Sequence, residues 1–144
     1  MATDAFLERA LRDPDTGLPN VPFLQLIRDW EERRARRRHY SVRLLKVSVT
    51  GGDDRVLRTL GWRLLRAVRD SDFLASKGPH QFQVLLTSPD AEQFDALQHR
   101  ISKIIDDLNA RHPDLPPLRV QMEIEGGLQD AGGGGGDDDA RWMA

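Results

Sequence analysis

The run Arg69–Phe82, RDSDFLASKGPHQF, constrains the fold more than any other stretch of the chain. A polar start (Arg69, Asp70, Ser71, Asp72) leads into a short apolar rise, Phe73-Leu74-Ala75. Lys77-Gly78-Pro79-His80 breaks the rise, and Phe82, Val84, Leu85 and Leu86 resume the apolar pattern. Glycine admits positive φ and proline has its φ already set, so the break reads as a tight turn between two strands.

The elements before the hairpin alternate helix and strand. Phe6, Leu7, Ala10 and Leu11 give residues 1–12 one apolar face and predict a short lead-in helix. Asp13-Pro14-Asp15-Thr16-Gly17-Leu18-Pro19-Asn20 is a dense set of turn formers. A helix follows from about Pro22, with a stripe of Phe23, Leu24, Leu26, Ile27 and Trp30. It ends in five arginines between Arg33 and Arg38. These read as a solvated helix end, where cations favour the negative pole of the helix. A patch for anions or nucleic acid is the second reading. Tyr40–Val49 is rich in Val and Leu and reads as a strand. Gly51-Gly52-Asp53-Asp54 is a tight loop, with Asp53 or Asp54 as the cap of a helix over about 55–68.

After the hairpin, Ser88 as N-cap and Pro89 at the first position predict a helix over about 91–109. Leu118, Val120, Met122 and Ile124 alternate as a half-buried strand. The five glycines Gly132–Gly136 and the acids Asp137–Asp139 cannot bury enough surface to offset ordering entropy, so residues 128–144 are expected to be a flexible tail. Trp142 and Met143 are a possible docking point near its end. The order βαββαβ predicts an α+β fold of ferredoxin-like or palm type, with a mostly antiparallel sheet and helices on one face. The expected divisions are a lead-in (1–12), one domain (13–127) and the tail.

Composition limits the function classes. A net charge of −2 over 144 residues gives no overall attraction to nucleic acid, and no DNA partner is expected. With no cysteine, disulfides and thiolate metal sites are excluded. No apolar run is long enough to span a bilayer, and no signal peptide is visible, so a soluble cytoplasmic setting is expected.

These residues together resemble a GGDEF domain, the diguanylate cyclase fold of bacterial signalling. Asp13–Asn20 is similar to the family's opening D-x-L-T-G-L-P-N-R, departing at Asp15 and Val21. The hairpin motif R-Y-G-G-D-E-F falls on Ser76–Phe82, where only Gly78 and Phe82 keep the family's letters. The resemblance covers roughly Asp13 to Gly126. It implies metal-assisted phosphoryl chemistry that needs acids on the first strand and in the hairpin. Those positions hold Lys46 and Ser48, and Gly78, Pro79, His80 and Gln81. An ammonium in place of a carboxylate reverses the local charge, and Mg²⁺ prefers charged oxygen ligands. The segment Ser48–Arg55 is also shorter than the family's by roughly two helical turns. The expectation is therefore no cyclase activity, no bound metal and no resident cofactor. Altered nucleotide chemistry through His80 ranks well below.

What the resemblance implies to be kept is a regulatory site for cyclic di-GMP. Its R-x-x-D falls on Arg69 and Asp72, followed by five residues before Gly78. A further family arginine falls on Arg100, eighteen residues after Phe82. An arginine fork suits guanine O6 and N7, and a carboxylate suits its N1–H and amine. The expected partners are cyclic di-GMP, bound by Arg69, Asp72 and Arg100, and a protein effector. Binding is expected to couple to a homodimer. The alternative is an interaction scaffold without ligand.

Overall fold

The structure, a computed structural model, describes residues 10–125. The expected lead-in helix over 1–12 lies almost wholly outside these residues, and the expected tail over 128–144 does so entirely. The described chain runs α1 (Val21–Arg38), β1 (Val42–Thr50), α2 (Asp54–Ala67), β2 (Phe73–Ser76), β3 (Gln81–Thr87), α3 (Ala91–Arg111) and β4 (Arg119–Glu125). The four strands form one sheet in the order β2-β3-β1-β4. Every neighbouring pair is antiparallel, with Leu44 facing Leu85 on one side and Glu125 on the other. This is the α+β, palm-like sheet that the βαββαβ order predicts.

The alternation along β1 divides the packing. Leu45, Val47 and Val49 point to one face, with Val84, Leu86, Met122 and Ile124 from the neighbouring strands. Leu57, Leu60 and Leu64 of α2 and Phe94, Leu97, Ile101, Ile105 and Leu108 of α3 cover this face. Gly61 of α2 faces the hairpin directly: a Cβ there would lie 3.0 Å from Leu18 and 3.2 Å from Phe82. The missing side chain is what lets the helix approach this closely. Both crossover helices thus lie on one face, as the βαββαβ pattern predicts.

α1 lies on the other face. Its Leu24 is fully buried against Leu44, Ala75 and Leu85, and Phe23 meets the ring of Phe73 edge-on at 5.2 Å. The expected free sheet face is therefore half covered, and the uncovered half carries Lys46, Ser48, Gln81 and Gln121. Apolar residues on that face stop where α1 stops covering it.

Local chemistry sets the boundaries. Asn20 caps α1 through its side-chain oxygen, which accepts from Phe23 N at 2.9 Å. His39 closes the helix in the left-handed region, with φ 58°. Asp53 caps α2. The cap of α3 is Asp90, which makes a reciprocal capping box with Gln93, and not Ser88 as the sequence predicts. Ser88 sits at φ 48°, with its N–H donated to Ser41 O at 2.7 Å, so it belongs to the turn leaving β3. A carboxylate cap backed by Gln93 satisfies two backbone donors where Ser88 would satisfy one.

The Gly51–Asp54 run is a tight connection between β1 and α2. Gly51 and Gly52 have φ of 89° and 67°, and Gly52 N donates to Pro116 O at 2.8 Å. A Cβ on Gly51 would collide with the Pro117 carbonyl. Only glycine fits this position beside the loop that precedes β4.

Candidate functional site

The two ends of the β2–β3 hairpin hold the residues that the sequence singles out. At the turn, Asp13 is 7% exposed and organises the loop that precedes α1. Its Oδ1 accepts from Asp15 N and Thr16 N at 2.9 and 3.0 Å, and its Oδ2 accepts from Gly78 N at 2.8 Å. The Thr16 and Ser76 hydroxyls meet at 2.6 Å, and Ser76 N donates to Pro19 O at 2.8 Å. The opening turn motif is thus a brace for the hairpin. Gly78, at φ 70°, is where the turn needs glycine.

His80 is tied to β1. Its O accepts from Val49 N at 2.8 Å, and its Nδ1 lies 3.1 Å from Val49 O, a donating geometry for the Nδ1–H tautomer. Gln81 pairs with Ser48 across the ladder, and Gln83 with Lys46. Lys46 Nζ lies 3.7 Å from Glu125 Oε2. Gln83 Oε1 is buried without a hydrogen-bond partner. Among the described residues, no group of three or more His, Cys, Asp or Glu converges as metal ligands would.

The opposite end is charged. Asp72 has a side chain only 2% exposed and is clasped by Arg69: Nε to Oδ2 and Nη2 to Oδ1, both at 3.1 Å. Arg69 Nη2 also donates to Thr87 O at 2.8 Å, and Asp72 Oδ1 accepts from Thr87 N at 3.3 Å. The pair bolts the entrance of β2 to the exit of β3. Nη1 of Arg69 has no hydrogen-bond partner among the described residues, and Arg69 lines a cleft of about 590 Å³.

Arg34, Arg38 and Tyr40 line that cleft together with Arg69, Glu31 and Asp70. Tyr40 Oη donates to Glu31 Oε2 at 2.7 Å, and Arg34 Nη1 to Glu31 Oε1 at 3.3 Å. The bond to Glu31 favours the protonated phenol and, with desolvation, raises the Tyr40 pKa above its ordinary value. Two of the five arginines at the end of α1 therefore line the same cleft as Arg69. Their side of the helix was the missing signal, since sequence spacing does not say which sheet face a leading helix covers.

Arg100 is elsewhere. It is exposed on α3 and lines a separate groove against α2. The structure brings Arg69 and Asp72 together and leaves Arg100 out of their cleft.

The described fold and its brace agree with a family match. Residues 10–131 match the family described as "Diguanylate cyclase, GGDEF domain". The chain belongs to the GGDEF family. Solved GGDEF structures share its fold. The diguanylate cyclase SiaD of Pseudomonas aeruginosa, solved with its activator SiaC, superposes with a TM-score of 0.69 at 22% identity, over 85% of this chain and 52% of SiaD. This chain thus spans about half the length of SiaD. The GGDEF domain of DgcB from Caulobacter crescentus, solved with c-di-GMP, gives 0.64 at 16% identity, over 92% and 85% of the two chains. The FimX GGDEF domain of Pseudomonas aeruginosa gives 0.62 at 20% identity, over 92% and 88%. A search of curated proteins returns no match. Among the described residues, no helix is long and apolar enough to cross a membrane.

Proposed function

We propose that this GGDEF domain is non-catalytic and works as a receptor for cyclic di-GMP in bacterial signalling, through the cleft at Arg69 and Asp72. The observation that carries the reading is the contrast in charge between the two hairpin ends. Where the family's chemistry needs acids, the donors are an ammonium, a hydroxyl, an imidazole engaged with Val49 and one amide. These residues do not fit a hard divalent cation, which takes oxygen ligands and preferably carboxylates. At the other end three arginines surround a cleft of about 590 Å³, and the mutual clasp holds Arg69 and Asp72 ready-oriented. Guanidinium groups there offer forks and stacking planes to guanine and charge to phosphate.

In this reading Arg69, held in place by the buried Asp72, orients a guanine edge, while Arg38 and Arg34 meet phosphate. Arg100 has no part in the same cleft and would act only across a second copy of the domain, in a ligand-linked dimer. A protein effector remains part of the proposal.

Calorimetry with cyclic di-GMP tests it. Binding in the micromolar range is expected for the wild type, and a loss of tenfold or more for Arg38→Ala, whose exposed side chain has no fold-holding bond. No heat at tens of micromolar ligand overturns the receptor reading. Formation of cyclic di-GMP from GTP with Mg²⁺ or Mn²⁺ overturns the non-catalytic one.

One observation favours a second reading, an interaction scaffold. Leu26 and Trp30 are 64% and 57% exposed on α1. Partner capture that survives Arg38→Ala but fails in Trp30→Ala would favour it.

A further inference from the structure

We propose that the groove between α2 and α3 is a docking surface for this chain's own acidic segment, Asp137-Asp138-Asp139, with Trp142 on the groove's apolar floor. The groove encloses about 310 Å³ and is lined by Arg63, Arg66, Arg100 and Lys103 around Ala67 and Ile104. Arg63 bonds to Asp107, which Arg111 also reaches at 3.1 Å. Among the described residues, Arg66, Arg100 and Lys103 have no acidic partner. Cations gathered on a low-dielectric floor repel one another and attract an anion. The inference stands apart from the cleft at Arg69, and the two readings share only Arg100, which the receptor reading uses across a second copy.

The chain carries one segment of matching chemistry. Asp137–Asp139 is its longest run of acids, and Trp142 follows within three residues. Acids followed by an aromatic match cations ranged around an apolar floor, and guanidinium planes stack on indole. The rest of the chain has little to offer as a competitor, because its remaining acids are scattered singly or in pairs.

Geometry permits the contact. β4 ends at Glu125, which faces Leu44. Phe73, which opens β2 after α2, and Leu85, which nears the exit toward α3, are in register with the same end of the sheet. The segment after Glu125 therefore leaves the sheet at the end where Arg66 and Ala67 close α2. Eleven residues, 126–136, separate Glu125 from Asp137, and seven of them are glycine. A glycine-rich stretch of that length has a root-mean-square reach of about 20 Å. That is about twice the spacing of packed elements, roughly 10 Å. Tethering at this range gives a local concentration of the order of millimolar.

The absence of cysteine makes a clean test, since a single Ala140→Cys takes one nitroxide label. Amide signals of Arg63, Arg66, Arg100 and Lys103 should be lost in the labelled full chain, while those of Arg38 and Tyr40 persist. The signals should return when Asp137, Asp138 and Asp139 are all changed to Asn. They should also return at about 1 M salt, where the screening length falls to roughly 3 Å, and in Arg66→Glu. Even broadening over the surface, broadening centred on Arg38, or a pattern indifferent to the Asn changes overturns the proposal. So do groove signals that shift only on adding cyclic di-GMP. A chain that binds no cyclic di-GMP yet loses the groove signals upholds this inference and sinks the receptor reading. The reverse result separates them the other way.

Discussion

The turn and the base of the β2–β3 hairpin are both held by a buried aspartate, and they do opposite things with it. Asp13 at the turn accepts from backbone N–H groups of its own loop and of Gly78. Every donor it meets among the described residues is neutral, and the sheet face beside it carries Ser48, Gln81 and Gln121 with Lys46 set between acids of β4. Asp72 at the base is matched by a guanidinium, and further arginines gather beside that match. The difference teaches that an aspartate's role in a fold and its value to a ligand are separate. The turn satisfies itself, and the cation beside it, Lys46, already faces Glu125. The base satisfies itself and still has cations over.

The largest expected effect is at the turn. Asp13→Ala leaves the N–H groups of Thr16 and Gly78 without their acceptor, at about 2–3 kcal/mol of stability. Denaturant unfolding measures it, and a loss below about 0.5 kcal/mol would mean the brace is not structural. Next is Arg69→Ala at the base, which strands the nearly inaccessible Asp72 carboxylate and costs about 1–3 kcal/mol. Arg69→Ala with Asp72→Ala should recover much of that. Failure of the double change to recover it would make the pair a ligand device first and a clasp second. The smallest effect is optical. Tyr40 is the single tyrosine, so alkaline absorbance reads it alone. Its folded pKa lies above its ordinary value because of the bond to Glu31. The bond's contribution is present below the unfolded value, about 10, and is lost as pH rises through the higher folded one. Glu31→Ala should bring the titration back toward 10. An unmoved midpoint would detach Tyr40 from the cleft.

The strand order and the hairpin were legible because alternation and turn residues act locally. Asp13–Asn20 was legible as a turn, but its use as a brace on Gly78 was not, since that contact joins distant stretches. The cap of α3 was misplaced by two residues because Ser88-Pro89 and Asp90 both fit a helix start, and only the backbone of Ser88 decides between them. Arg69 and Asp72 could be placed by register. That the two bind each other could not, because spacing says which groups are near and not how many of their donors the fold uses. The arginines of α1 read as a solvated end for most of their number, and that holds for Arg36 and Arg37. Arg34 and Arg38 differ only in the side of the helix they occupy.

The contact of Gly51 and Gly52 with the Pro116-Pro117 loop has a consequence for how the molecule assembles. It joins the exit of the central strand to a stretch that leaves the ribosome much later. β1 also receives β4 from Leu44 to Thr50. β1 has β3 on one side before β4 is made, but its other edge stays unpaired until β4 arrives. Pairing at that edge joins stretches far apart in the chain, which slows its formation, and the Gly52 amide held by Pro116 would become a late clock for that closure.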